Sequence, residues 1–303
     1  MRIYPMRIFF VHNSSPIILK FSEFIESEKS QLSHYLLIGN PVTHSLSPTM
    51  HNLALKHNKI GGEYISVSVS TRDVNMVLAH CTNDSFLGAN ITIPHKELFL
   101  DVVDELTEEA REIGAINTLV KQDGKLIGHN TDAYGFIKPI ENYIDDLHGE
   151  RVIIFGSGGA TKAIVYALRS LGVEQIVLVS RRPEMYENNG SENIIRCSYN
   201  NWMAYADDAV MIVNATPLGM TPNTESSPVP DQDIEILNEK ICYDIVYNPR
   251  QTKFLKQAIQ AGGTPIGGLD MLIYQGAKSF NLWTGFEFPI EKIKSKLDEV
   301  LPT

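Results

Sequence analysis

RVIIFGSGGATKAIVYALRSLGV, 151–173, decides the fold. The apolar run RVIIF breaks at Gly156, Gly158 and Gly159 complete the turn, a helical pattern follows, and Gly172 stands where that helix should end. A strand, a glycine turn and a helix open a dinucleotide-binding unit. Glycines there let the chain turn tightly and bring its backbone against a pyrophosphate, which rests on the N–H groups of the helix N-terminus. Thr161 replaces the third glycine of the usual fingerprint, so the flanking strand and helix, rather than the glycines alone, carry the reading against a plain strand-to-helix turn. Gly156, Ser157, Gly158, Gly159 and Ala160 are the expected phosphate contacts.

About twenty residues on, the second strand ends in IVLVSRRPE. An NAD-selective site would place a carboxylate there for the ribose 2'-hydroxyl. Ser180, Arg181 and Arg182 stand there instead, and guanidinium groups suit the additional 2'-phosphate of NADP. A solvated basic turn is the plainer alternative, and Glu184, two residues further, leaves NAD open.

Outward from this unit, short apolar runs alternate with helical patterns in both directions, the signature of an α/β chain with parallel sheets. YLLIG, YISVSVS, GANITI and INTLVK precede the glycine turn; IVLVSR, AVMIVNAT, ICYDIV and TPIGG follow it. The expected architecture has two domains, an N-terminal mixed or parallel α/β domain and a Rossmann-type domain, as 303 residues allow. TDAYGFIKPIENYIDDLHG reads as an amphipathic helix connecting them. The closing segment, GLDMLIYQGAKSFNLWTG and IEKIKSKLDEVL, has no strand after it and should pack back on the first domain. The expected division is 1–33 as an extension, 34–133 plus 268–303 as the first domain, and 134–267 as the Rossmann domain. Within the extension, MRIYPMRIFFVH reads as an extra strand and SEFIESEKSQ as a polar helix or tether.

A net charge of -10 without a basic tract excludes a nucleic-acid surface. Three cysteines without CxxC spacing and nine histidines without HExxH argue against a disulfide framework or a metal site. Together with the lack of an apolar run of membrane-spanning length, this points to a cytoplasmic protein that binds small molecules, a monomer or homodimer.

Three polar clusters of the first domain fall where strands end or helices begin, the place where open sheets collect ligands. They are Ser45 with Ser47, the run GANITIPHKE, and GAINTL followed by GHNTDAYG. Ser47 is expected as a helix N-cap with Pro48 in the first turn. Asn90 and Thr92 alternate along one strand and so share a face, Lys96 follows Pro94, and Asn117, Asn130, Thr131 and Asp132 supply the other side. Singly, each is as well explained as a cap, a turn or a surface charge. Together, a lysine and an aspartate at the edge of a nicotinamide cleft are what hydride transfer at a carbinol requires. As hydride leaves carbon, the hydroxyl must lose its proton, to Lys96 with Asp132 orienting it. Met271 reads as a packing residue in a loop that reaches toward the nicotinamide.

From about Tyr35 to its end the chain resembles the shikimate dehydrogenase family. GNPVTHSLSPTMHN resembles the family's substrate motif and NITIPHK its catalytic-lysine motif, and GAINT, NTDAYG, GSGGATKA, NATPLGM, YDIVYNP and GLDMLIYQGAKSF follow in the family's order. The resemblance implies reversible NADPH-dependent reduction of 3-dehydroshikimate to shikimate, on the way to chorismate and the aromatic amino acids. It implies that Ser45 and Ser47 hold the substrate carboxylate and that Asn90, Thr92, Asn117, Asp132, Tyr247 and Gln275 surround the ring. Lys96 is then the acid/base group, and Thr216, Ile245, Gly268, Met271 and Glu108 join the cofactor contacts. SRRPEM departs from the family's common Asn-Arg-Thr, and residues 1–33 have no counterpart in its usual start. The alternatives are an NAD-using quinate/shikimate dehydrogenase, whose basic pair is followed by an acidic residue where Pro183 stands here, and a non-catalytic NADP-binding sensor.

Overall fold

A computed structural model describes residues 19–183 and 193–301; the expected strand in MRIYPMRIFFVH and the expected role of Glu184 lie outside them. In chain order the elements are β1 (Leu19–Lys20), α1 (Phe21–Glu26), β2 (His34–Gly39), α2 (Ser47–Asn58), β3 (Glu63–Ser68), α3 (Val74–Cys81) and β4 (Phe86–Ile91). Then come β5 (Glu105–Leu106), α4 (Glu108–Ile113), β6 (Thr118–Gln122), β7 (Lys125–His129), α5 (Asp132–Ile137) and α6 (Ile144–Leu147). The glycine-turn half holds β8 (Arg151–Phe155), α7 (Gly159–Ser170), β9 (Gln175–Val179), β10 (Ile194–Cys197), β11 (Ala209–Asn214), β12 (Ile241–Asp244), α8 (Lys253–Ala261) and β13 (Thr264–Gly267). Helices α9 (Gly268–Thr284) and α10 (Ile290–Val300) close the chain.

Two sheets result. The first has the order β1-β3-β2-β4-β6-β7-β5, parallel except that β6 runs antiparallel to both β4 and β7. The β6–β7 hairpin turns through Asp123 and Gly124, both at positive φ, a turn for which Asp-Gly is well suited. β7 is absent from the strands expected from the sequence, although that dipeptide marks its start. The second sheet, β10-β9-β8-β11-β12-β13, is entirely parallel. Numbered from β8 its order is 3-2-1-4-5-6, and the strand order reverses between β8 and β11, where a crevice opens at the carboxyl ends. The first sheet reverses likewise between β3 and β4 on either side of β2.

Both sheets are cored by the apolar runs that mark their strands: Leu36, Ile38, Val67, Ala89 and Ile91 in the first, Ile153, Phe155, Val177, Val179 and Ile212 in the second. Helices α9 and α10 pack on α2 through Met50, Ile273, Phe280, Ile293 and Leu297. The described part of the extension is ordered against the first sheet. β1 pairs with β3, and Phe21 and Phe24 bury their rings against His34 and His80. Each buried phenylalanine contributes about 2–3 kcal/mol, which anchors a helix of only six residues.

Two expectations need correction. The 131–149 segment is not one helix: α5 gives way to a 3-10 turn over Lys138–Tyr143 before α6. Pro139 lies in that turn and can donate no backbone hydrogen bond, so the α-helical ladder stops there. Met271 is not in a loop but in the first turn of α9, because that helix starts at Gly268 as soon as β13 ends.

Candidate active site

The glycine turn is built as its chemistry requires. Gly156 sits at φ 121°, and a Cβ there would lie 2.8 Å from the Ala215 carbonyl oxygen. That close approach joins the ends of β8 and β11 and leaves no room for a side chain. At Gly158 nothing lies within 4 Å of a Cβ position, and α7 starts at Gly159 with no side chain capping its N–H groups. Backbone donors therefore face an open space at a helix N-terminus, which suits a pyrophosphate. The β9 end carries Ser180, buried, with Arg181 and Arg182 exposed beyond it and no carboxylate between them. These residues fit an NADP molecule.

The far wall of this crevice is locked by Asn214 and Asp244. Asn214 accepts hydrogen bonds from the Thr216 N–H and hydroxyl and donates to Asp244 at 3.0 Å. Asp244 also accepts from Thr252 and from the Val246 N–H, which holds the loops bearing Thr216, Ile245 and Tyr247. Burial pushes the Asp244 carboxyl up to about 7 despite these three donors. Gly268 permits the chain to pass, since a Cβ there would lie 2.2 Å from the Ile245 oxygen.

On the substrate side, α2 begins at Ser47, one residue earlier than a Ser47 N-cap would allow. Ser47 therefore caps nothing; the Ser45 hydroxyl accepts from the Ser47 N–H and lies 3.2 Å from its hydroxyl. Capping is done by Ser45 and the freer hydroxyl is Ser47, the reverse of the expected roles. Tyr247 arrives from the other sheet, and burial raises its phenol pKa, an effect that Ser45 opposes. Thr92 lies just past β4, where its N–H still donates to Ile38, and Gly39 is needed beside it because a Cβ there would meet the Thr92 methyl at 2.3 Å.

Lys96 and Asp132 form an ion pair between Nζ and Oδ2, with side chains 14% and 7% exposed. Asn117 donates to the other oxygen of Asp132 at 2.7 Å and to Thr131 at 2.8 Å, and it reaches Gln275 at 3.4 Å. Asn130 accepts from the Asp132 N–H. Lys96 also touches the glycine turn: a Cβ on Gly159 would lie 3.3 Å from its Cδ. Beside it, Lys162 of α7 pairs with Glu97 at 2.9 Å. The lysine thus stands between the carboxylate of one half and the phosphate turn of the other, joined through Asp132 to Asn117 and so to Thr131 and Gln275. Met271 is buried in the core beneath this region. Glu108 stands apart, exposed in the first turn of α4, where its charge reaches Tyr166, two turns along α7 from the glycine turn.

Sequence reasoning missed Tyr64, Thr118 and Ser279. Tyr64 donates to Asn90 at 2.8 Å; Ser279 meets Asn90, Thr118 and Thr131 at 3.0, 2.8 and 3.1 Å. Ser279 lies four residues after Gln275 on α9, hence on the same helix face, which was the available signal. Nothing local marks Tyr64, an aromatic residue in a strand.

The chain matches the family models described as the shikimate dehydrogenase substrate binding domain, over residues 37–119, and the shikimate 5'-dehydrogenase C-terminal domain, over residues 268–297. A curated relative from Salinibacter ruber, named shikimate dehydrogenase (NADP(+)), is 38% identical over 263 residues, covering 84% of this chain and 92% of the relative. The crystal structure of shikimate 5-dehydrogenase from Thermus thermophilus in complex with NADP(H) and shikimate superposes with a TM-score of 0.78 at 33% identity, covering 89% of this chain and all of that one (100%). Quinate dehydrogenase from Corynebacterium glutamicum in complex with NAD gives a TM-score of 0.79 at 29% identity, over 88% and 98% of the two chains. With the two switch-point crevices, the uncapped glycine turn and a full-length relative at this identity, the chain belongs to the shikimate dehydrogenase family.

Proposed function

We propose that the protein catalyses the reversible NADPH-dependent reduction of 3-dehydroshikimate to shikimate, in the pathway to chorismate and the aromatic amino acids. The observation that carries this reading is the Lys96–Asp132 ion pair, held by Asn117 and set against the glycine turn. Bound NADPH supplies the hydride. The Lys96 ammonium lies where it can give a proton to the carbonyl oxygen as it gains charge, and in the reverse direction the amine takes that proton back. Asp132 keeps the lysine in place and accepts from a ring hydroxyl. Ser45 and Ser47, at the start of α2, bind the carboxylate with hydroxyls and helix N–H groups. Asn90, Thr92, Asn117, Thr131, Tyr247 and Gln275 orient the ring between them.

Residues 34–133 with 268–303 form the substrate domain in this reading, and 134–267 the cofactor domain with Gly156 to Ala160, Ser180, Arg181, Arg182, Thr216, Ile245, Gly268 and Met271 along the nucleotide. Glu108 would join them only on closure of the two halves. No helix among the described residues is long and apolar enough to cross a membrane, and Cys81, Cys197 and Cys242 are buried and unpaired, in keeping with a reducing cytoplasm.

The test is turnover of shikimate with NADP and of quinate with NAD, in all four combinations, followed by reduced-nicotinamide absorbance. A kcat/KM highest for shikimate with NADP is expected. Preference for quinate with NAD would replace this reading with the neighbouring activity, and no turnover in any combination would leave a nucleotide-binding sensor.

A further inference from the structure

Gly135, the last letter of NTDAYG, stands inside α5, where a glycine costs a helix stability relative to alanine. Its backbone is helical, so no unusual φ calls for it, and space alone does. A Cβ at Gly135 would lie 2.7 Å from the Met271 carbonyl oxygen, 2.8 Å from the Gln275 Cβ and 3.0 Å from the Gln275 nitrogen, where ordinary contact begins at 3.4 Å. α5 therefore crosses α9 backbone against backbone, with Gly135 seated between the turns that bear Met271 and Gln275.

The same two helices carry the chain between the sheets. α5 follows β7 of the first sheet and leads toward β8 of the second, while α9 leaves β13 of the second sheet and packs on α2. Each helix also brings part of the site. Asp132, three residues before Gly135 and so on the same side of α5, holds Lys96 and accepts from Asn117 at 2.7 Å. Asn117 reaches the Gln275 Oε1 at 3.4 Å, and the Gln275 amide donates to the Leu272 carbonyl at 2.8 Å within its own helix, so that oxygen goes where α9 goes. At its start α9 is tied to the cofactor wall, since Gly268 lies against the Ile245 carbonyl. How closely α5 and α9 cross thus sets the separation between the Lys96–Asp132 pair and everything α9 bears.

We infer that Gly135 is a positioning residue: by carrying no side chain it fixes the α5–α9 distance, and with it the placement of the Lys96–Asp132 pair against Gln275, Gly268 and Met271. The inference rests on the reading of the site given under Proposed function. It gives the two ends of TDAYG separate tasks: the aspartate holds the acid/base lysine, and the glycine keeps that pair at its distance from the substrate and cofactor groups of α9.

Gly135→Ala adds one methyl against a helix carbonyl that no rotamer change can move away. Misplacement by a fraction of an ångström should lower kcat about 10- to 100-fold per NADPH-binding site, with the Kd for NADPH, read by nucleotide fluorescence, changed less than about threefold. Gly276→Ala is the matched control on another face of α9, where a Cβ meets only the Met50 Cε at 3.4 Å and the His51 Nε2 at 3.5 Å. Its kcat should stay within about threefold of wild type. A kcat within about threefold of wild type in Gly135→Ala, an NADPH affinity that falls in step with kcat, or an equal loss in Gly276→Ala overturns the inference. Should Gly135→Ala not fold, hydrogen exchange of the wild type decides. The Phe136 and Gln275 amides should exchange as slowly as those of Leu36 and Ile153 in the two sheet cores; faster exchange would show a crossing too loose to fix these groups and overturns it equally. If the wild-type protein turns over no shikimate, the reading of the site falls and this inference with it, whereas an active enzyme indifferent to Gly135→Ala removes this inference alone.

Discussion

Asn117 donates to Oδ1 of Asp132 at 2.7 Å while Lys96 holds Oδ2, so each oxygen of this buried carboxylate has a separate task. Asn117 in turn is fixed by Thr131, whose N–H donates back to it at 2.8 Å. Asp132→Asn keeps the shape and removes the charge that holds the lysine. Its kcat is expected to fall by about 10²–10⁴, with a smaller rise in KM for shikimate. Steady-state kinetics with shikimate and NADP check this.

Lys96→Ala removes the proposed proton donor and acceptor itself. A loss of at least about 10²-fold in kcat is expected, with shikimate binding still measurable by calorimetry. Turnover near the wild-type rate would remove Lys96 from the chemistry. Burying Asp132 without its counter-charge also costs stability, so the unfolding midpoint of this variant should fall.

Arg181 is exposed at the end of β9, where its charge reaches Tyr199. For Arg181→Ala, KM for NADP should rise about tenfold while KM for NAD stays the same, since a charge-assisted hydrogen bond to the 2'-phosphate is lost. Equal losses with both cofactors would mean that the guanidinium does not read that phosphate.

The Ser45 hydroxyl accepts from the first N–H of α2, and in the proposed reading it also binds the substrate carboxylate. Ser45→Ala should raise KM for shikimate about tenfold and lower stability by about 1 kcal/mol, the usual cost of a lost helix cap. The two effects separate in a ligand-free thermal melt compared with kinetics. A stability loss with unchanged KM would leave only the structural role.

His34 and His80 stack with their Nε2 atoms 3.0 Å apart, beneath Phe21 and Phe24 of the extension. His34 Nδ1 meets the Leu32 carbonyl, so its proton lies there and Nε2 accepts from His80; Asn83 then serves the remaining nitrogen of His80 at 3.3 Å. Every partner is satisfied when both rings are neutral. Burial, and then the neighbouring His34, lower the His80 pKa to about 4, below its ordinary 6.5. The unfolded chain therefore binds more protons between these values, and stability falls as pH drops from about 6.5 toward 4. Asp244, raised to about 7, acts in the opposite sense over the same range, so the comparison must be with a variant. Relative to His80→Gln, the wild type should lose on the order of 1–2 kcal/mol between pH 7 and 5 in denaturant melts. Parallel curves would mean that the pair carries no proton-linked stability.

Much of this was legible before the fold was known. RVIIFGSGGATKA announced a glycine turn because its strand and helix flank it locally, and the meeting of Lys96 with Asp132 was expected because carboxyl ends of strands are where ligands gather. The break at Pro139 and the start of α9 at Gly268 were less legible, because periodicity marks an amphipathic pattern without marking where its hydrogen-bond ladder stops. Which serine caps and which is free at the start of α2 depended on a one-residue difference in the helix boundary, which residue type alone does not decide.

The sequence by itself determined the alternation of strands and helices, the glycine turn, the basic β9 end and the identity of the polar groups, because each depends on neighbours in the chain. Only the tertiary structure decided that Tyr64 donates to Asn90, that Ser279 completes the Asn90 network, and that the stem of Lys96 lies on Gly159. These contacts join residues far apart in sequence across two sheets, and their distances follow from strand order and helix packing, which no local pattern encodes.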